Sequence, residues 1–244
     1  MQAAVAAGTG ATAAFYGVSQ MSLVETFFNW DVLVRAMPLL LQGLVTTLLL
    51  GAASIALGLV AGLLICLVRL YGTAPLRALA ILFIDVFRSV PVLVVLILIY
   101  YALPFLGIRL SSFVSAMIAL SLVFSAFTAE VIRSGIEAIP KGQFEAAAAL
   151  GLHFRLTLFK VVLPQAMRIA IPPQTGNCVA LLKDTSLASV VAMPDLLKQA
   201  TDAQAFFANP TPLIGAALVY LALLWPLVRL VAYLENRSRM HTAR

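Results

Sequence analysis

The sequence predicts an all-α, polytopic membrane protein with five transmembrane helices and one helical loop outside the bilayer, and three observations predict it. Hydrophobic residues fill 62% of the 244 positions and charged residues only 11%, with a mean hydropathy of +1.03, far from the range of soluble globular domains. The apolar runs are continuous and reach the roughly 20 residues a helix needs to cross about 30 Å of hydrocarbon, where a barrel would alternate. The basic residues between the runs are unequally shared by the two sides.

Residues 1–37 read as an N-terminal arm. Their first part, MQAAVAAGTGATAAFYG, is rich in Ala and Gly but has neither a charged n-region nor a leucine-rich h-region, so it is not read as a signal peptide. The first span runs from Pro38 to Arg69; at 1.5 Å per residue it extends about 48 Å and must tilt or project from the membrane. Within it Ser54, Gly58 and Gly62 form a ladder of small residues that permits close approach of another helix. The second span, Leu79 to Leu103, carries Asp85, Arg88 and Pro91. Proline removes a backbone donor, so a kink is expected just past the charged pair, and it suits a gate as well as a static bend.

The third span, Ser111 to Arg133, closes with Glu130 and Arg133; the fourth is Val161 to Leu182 and the fifth Pro212 to Tyr233, leaving 235–244 as a tail. If the tail is cytoplasmic, only Arg35, Arg109, Lys183 and Lys198 lie on the far side, against eleven Lys and Arg on the tail side. That asymmetry predicts an outside N-terminus and a cytoplasmic tail, and it accounts for the net charge of +6 without nucleic acid.

Between the third and fourth spans lies a loop of about 140–160 that is charged and alanine-rich. Pro140-Lys141-Gly142 breaks the chain, Gln143 to Leu150 is composed of helix formers, and Gly151 suits the left-handed residue that ends a helix. A second amphipathic segment, HFRLTLFKVVLP, leads back to the membrane. Phe144, Ala147, Ala148 and Leu152 follow at helical spacing and are available to enter an apolar groove on a partner.

The chemistry legible in the sequence is that of binding. No G-x-x-x-x-G-K-[ST] phosphate loop is present, so ATP phosphates have no such cradle here. The two histidines, His153 and His241, sit with no nucleophile, and Cys66 and Cys178 fall inside apolar runs without ligand spacing, which predicts neither a catalytic nor a metal site. Asp85 with Arg88 and Glu130 with Arg133 are spaced i, i+3 for ion pairing. Lys183-Asp184-Thr185-Ser186, with Asn177 two turns earlier, reads first as a capped helix end whose residues pair with each other, and alternatively offers donors and acceptors for a zwitterion. Thr46 and Thr47 are weaker candidates, since a threonine in a membrane helix usually bonds its own backbone.

The loop reads Glu145-Ala146-Ala147, three residues, Gly151, nine residues, then Val161-Val162-Leu163-Pro164. In this spacing it resembles the E-A-A loop of the inner-membrane permease subunits of bacterial ABC importers, with valine in place of isoleucine. The stretches DVFRSVPVLVVLILIYYALP, SAFTAEVIRSGIEAIPKGQFEAAAALGL, LPQAMRIAIPP and LLKDTSLASVVAMPDLL narrow the resemblance to the polar amino-acid branch and extend it over about Pro38 to Asn236.

The resemblance implies a type I importer transmembrane domain over 38–234 in a bacterial inner membrane, paired with itself or a paralogous permease. It further implies two ATP-binding subunits that hold ATP and Mg, and a periplasmic solute-binding protein that delivers a polar amino acid. Lys141, Gln143, Phe144, Glu145, Ala146, Ala147, Ala148, Gly151, Leu163 and Pro164 then belong to the coupling surface. Thr46, Arg88, Asn177, Lys183, Asp184, Thr185 and Ser186 are candidates for the substrate path, with Pro91 as gate or kink. His153-Phe154 and Asn177-Cys178 depart from the usual pattern. The alternative reading is an ion-coupled secondary transporter or channel using Asp85 or Glu130.

Overall fold

The computed structural model describes residues 26–242, with side chains described through Asn236, so most of the N-terminal arm and the side chains of the tail's end lie outside the described residues. Among these residues the chain is helical, with no strand.

Helix α1, Trp30–Tyr71, is 42 residues and about 63 Å long. Its start lies upstream of the expected Pro38 because Asn29 caps it: Asn29 Oδ1 accepts from the Val32 N–H at 3.1 Å, and Asp31 faces the positive end of the helix. Pro38 is accommodated inside. The Asn29 N–H donates to Thr211 Oγ1 at 3.0 Å, which ties the start of α1 to that of the last helix.

The second span is broken. Helix α2, Ala74–Ser89, stops before Pro91, and α3, Val92–Ile97, restarts after it and continues through a π-helical stretch, Leu98–Ala102, and a 3-10 turn, Leu103–Leu106, with 104° between the two arms. Steric conflict with the proline ring drives Val90 to φ −91° and ψ 129°, and Pro91 has no N–H to continue the ladder.

Helix α4, Ser112–Glu137, begins at Ser111, whose hydroxyl accepts from the Val114 N–H, and it is the central element, packed on α1, α2 and the later helix Leu163–Asp184. Helix α5, Lys141–Ala149, is the loop helix. The amphipathic segment after it is no separate second helix: α6, Phe154–Thr157, passes through a π-helical stretch, Leu158–Val162, directly into α7, Leu163–Asp184. Both π-helical stretches lie just before a proline, Pro104 or Pro164, where the wider turn relieves the clash of the ring with the carbonyl four residues back. A 3-10 turn, Thr185–Val191, leads from α7 to α8, Leu196–Phe207, and then to α9, Thr211–Thr242, so the expected tail continues the last helix.

Three helices are long and apolar enough to span a membrane, namely α1, α4 and the Thr211–Asn236 part of α9, and the bent α2 and α3 pair makes a fourth if taken as one span. The expected fourth span of the sequence, α7, is a 22-residue helix but is less apolar, because Gln165, Arg168, Gln174, Asn177 and Lys183 lie along it. Gln174 is sheltered by protein: its side-chain N–H donates to Thr128 Oγ1 of α4 at 2.8 Å.

Close packing of α1 on α4 follows from the small-residue ladder. A Cβ on Gly58 would stand 2.5 Å from Phe124 Cδ1, and one on Gly62 would stand 2.6 Å from Thr128 Cβ and 2.8 Å from the Ser125 carbonyl oxygen. Around this contact Leu50, Leu96, Leu120 and Phe124 form the middle of the core. Cys66, Ile84, Ile132, Ile136, Leu158 and Val162 form the end next to α5, and Leu40, Leu196, Ala200 and Ala216 the opposite end. Both cysteines are free thiols.

Candidate functional site

Two features stand out, a projecting helix at one membrane face and a cavity within the bundle. The projecting helix is α5. Its C-terminus is closed by Gly151 at φ +70°, with the Gly151 N–H donating to the Ala148 carbonyl at 2.9 Å and the Leu152 N–H to that of Ala147 at 3.0 Å. These are the two hydrogen bonds of a Schellman cap, and they turn the chain sharply enough to bring it back into α6. Gly151→Ala is expected to cost about 1–2 kcal/mol, the penalty for an L-residue in the left-handed region, and to appear as faster limited proteolysis between α5 and α6.

The face of α5 used within the chain differs from the one the spacing suggested. Ala147 is only 4% exposed and Phe144 packs on the cluster of Ile132, Ile136, Leu158 and Val162, so both anchor α5 to its own chain. Lys141, Gly142, Gln143, Glu145, Ala146, Ala148 and Ala149 face outward, and Leu150 is 79% exposed at the tip. An apolar side chain left so open beside alanines makes a contact surface with two charges, Lys141 and Glu145. Leu163 and Pro164 stand at the start of α7 and set the direction of its return, half-buried and exposed respectively.

Beneath α5, Glu130 of α4 joins three helices. Its Oε2 accepts from Arg69 Nη1 of α1 at 2.7 Å, its Oε1 from Arg133 Nε at 3.2 Å, and Arg88 Nη1 of α2 stands 4.0 Å from Oε2. Arg133 also bonds Glu137. The local Glu130–Arg133 pairing forms, but Asp85 and Arg88 make no ion pair. Asp85 is exposed, while Arg88 is drawn across to α4, where its guanidinium carbon lies 5.6 Å from the centre of the Phe127 ring. Arg69 was not singled out in the sequence, because its partner is separated by a whole span.

The cavity, of about 180 Å³, opens between α3, α4 and α7 and is lined by Val92, Leu120, Val123, Phe124, Phe127, Asn177, Ala180, Leu181 and Asp184. Its walls are apolar except for Asn177 and Asp184, which lie seven residues apart on one face of α7. Val92 follows directly on Pro91, so the break in the second span forms one edge of the cavity. Arg88 does not line the cavity, but its guanidinium lies over Phe127, a wall residue.

The remaining candidates are not brought to it. The hydroxyls of Thr46, Thr185 and Ser186 donate to the carbonyls of Gln42, Leu182 and Lys183, within their own helical turns, and the exposed Lys183 makes no ion pair. Thr47, expected to bond its own backbone, instead accepts at 3.0 Å from the Leu196 N–H at the start of α8. Phe124 and Phe127 were missed in the sequence, where aromatic residues in a span carry no mark of facing a cavity.

A bundle of apolar, membrane-length helices that encloses a mostly apolar cavity carrying Asn177 and Asp184, with a capped helix projecting from it, fits a membrane permease. The family model described as the inner membrane component of binding-protein-dependent transport systems matches residues 58–240, and the chain belongs to this family. It is 37% identical over 213 residues to a probable amino-acid ABC transporter permease protein, YckA, of Bacillus subtilis (strain 168), covering 87% of this chain and 92% of that one. It is 32% identical over 220 residues to the glutamate/aspartate import permease protein GltK of Escherichia coli O157:H7, covering 86% and 98%. Among solved structures, an amino acid ABC transporter crystallised with histidines superposes with a TM-score of 0.80 at 31% identity, over 89% of this chain and all of that one.

Proposed function

We propose that this chain is the membrane-embedded half of an ATP-driven importer for polar amino acids, working as a homodimer or with a paralogous permease, with two ATPase subunits at α5 and a periplasmic solute-binding protein on the other face. The observation that carries the reading is α5 itself: a short helix held to the bundle by Phe144 and Ala147 and offering Glu145, Ala146, Ala148 and Leu150 outward. Family membership and the relatives' names support it. The membrane path takes five spans on this reading, with α7 as the fourth, sheltered by the partner half, the N-terminus periplasmic and the tail cytoplasmic.

The cavity supplies the recognition chemistry. Asp184 accepts from an ammonium, and the Asn177 amide offers both a donor and an acceptor, the donor for a carboxylate. The apolar wall of Leu120, Val123 and Phe124 takes up the carbon skeleton. Closure of the ATPase dimer moves α5, and because α5 rests on Ile132, Ile136 and Leu158, the motion passes to α4 and the α6–α7 helix that form the cavity. The break at Pro91 is where α2 and α3 reorient about the cavity's edge. The ion-coupled alternative is weakened at Glu130, whose two carboxylate oxygens are already held by Arg69 and Arg133.

The test is purification of the tagged chain from its own cells in mild detergent, native mass spectrometry, and an ATPase assay in nanodiscs. Two permease halves recovered with two ATPase subunits, and hydrolysis stimulated by a liganded binding protein, are the expected result; a stable chain without ATPase overturns the reading. Glu145→Lys is expected to abolish uptake while the chain remains in the membrane. Uptake at the wild-type rate in that variant would remove α5 from the coupling path.

A further inference from the structure

The end of the bundle opposite α5 holds a group that the transport reading does not use. Asp195 precedes α8 and is fully buried. Its Oδ1 accepts from the Lys198 N–H at 2.9 Å and caps the helix, but its Oδ2 is buried without a partner. On α9 the buried Tyr220 hydroxyl lies beside Thr47 and within the electrostatic reach of Asp195.

This oxygen is closed off from the surface. The start of α8 is pressed on α1 so closely that a Cβ on Gly43 would stand 2.8 Å from both the Asp195 carbonyl oxygen and Leu196 Cα, and the Leu196 N–H is bonded to Thr47. The one cation that acts on the carboxylate, Lys198, offsets only part of the cost of burial, as do the neighbouring backbone N–H groups. Lys198 on the same helix turns its ammonium to Asp202, α9 contributes Tyr220, α1 contributes only Thr47 and Gly43, and the Thr185–Val191 turn contains no titratable residue.

We propose that Asp195 is a proton-binding site, taking up a proton on Oδ2 from the medium at the face opposite α5 and thereby locking α8 onto α1 and α9. An ionised carboxylate with one oxygen buried and unpaired is costly, whereas the neutral acid keeps the Oδ1 cap and carries no charge to desolvate. Burial accordingly pushes the Asp195 carboxyl up from 3.8 to about 6. A raised value means the folded arrangement binds the proton more tightly than the open one. The stabilisation is complete below pH 3.8 and is lost as the pH rises through about 6, a span of roughly two units that corresponds to about a hundredfold in the docking equilibrium.

Because α8 follows the turn that extends α7, its docking steadies the helix that carries Asn177 and Asp184. Acidity on that face therefore restrains the cavity's wall. The proposal is independent of which solute is carried.

The experiment is a pH titration of the purified full chain in nanodiscs by infrared difference spectroscopy, with thermal unfolding over the same range, for wild type, Asp195→Asn and Asp195→Ser. Both variants keep a neutral capping side chain. A carboxylic-acid carbonyl band that titrates near pH 6 in the wild type and is missing in the variants is expected, together with a wild-type melting temperature that falls through pH 6 relative to theirs. A wild type with no such band at pH 5, or a melting difference from both variants that is constant with pH, overturns the proposal.

Discussion

Gly62→Val is expected to leave little folded protein in detergent. The new Cβ would arrive 2.6 Å from Thr128 Cβ, 2.7 Å from its Cγ2 and 2.8 Å from the Ser125 carbonyl oxygen, and neither a backbone carbonyl nor a fully buried β-branched side chain has space to retreat. Overpacking of this kind costs about 1–3 kcal/mol where neighbours can adjust. Displacing Thr128 also takes the acceptor from the Gln174 side-chain N–H, while the Gln174 side-chain oxygen already lacks a partner, which adds about 1–3 kcal/mol. The sum, about 2–6 kcal/mol, reaches at its upper end the lower bound of typical domain stabilities, about 5 kcal/mol. Size-exclusion profiles and thermal melts of tagged protein would read it, with Gly176→Ala as the control. A Cβ there meets only Val231 Cγ1 at 3.9 Å, so that variant is expected to be neutral or stabilised by up to about 1 kcal/mol. A wild-type melt for Gly62→Val would mean that α1 and α4 are not so close.

The second large effect is expected from Glu130→Gln. Glutamine keeps the shape but removes the charge that balances Arg69 and Arg133, and breaking a buried ion pair from one side costs about 3–5 kcal/mol. At 21% exposure Glu130 belongs at the lower end of that range. The distinguishing measurement is a double-mutant cycle with Arg69→Met. Once the arginine is gone, Glu130→Gln is expected to cost markedly less, since no guanidinium on α1 is left unpaired. Strictly additive losses would show that the Arg69–Glu130 contact does not hold α1 to α4.

Much of this molecule is legible from local rules. The all-α membrane character follows from unbroken apolar runs, the break at Pro91 from a missing donor and a crowded preceding residue, and the cap at Gly151 from the one residue type that adopts φ +70° without strain. The ladder of Ser54, Gly58 and Gly62 could be read as a close helix contact, though not which helix it meets. Where the sequence reading was imperfect, the cause was a rival partner far along the chain. Arg88 is spaced for Asp85 but goes to Glu130 and Phe127. Phe144 and Ala147 have the spacing of an outward face but turn inward, because the apolar groove nearest to them belongs to their own chain. Thr47 serves the backbone of α8 instead of its own.

By itself, then, the sequence determined the apolar spans, most of the places where helices bend and stop, and the short helix between Pro140 and Gly151, since each depends on residues within a turn or two of one another. Only the tertiary structure decided that Asn177 and Asp184 share a cavity with Phe127, that one carboxylate gathers arginines from three helices, and that Asp195 is shut away with a bare oxygen. The physical reason is that burial and pairing in a helical bundle depend on which faces meet. That choice is made jointly by small residues, prolines and charges on separate helices, and no single stretch of sequence contains it.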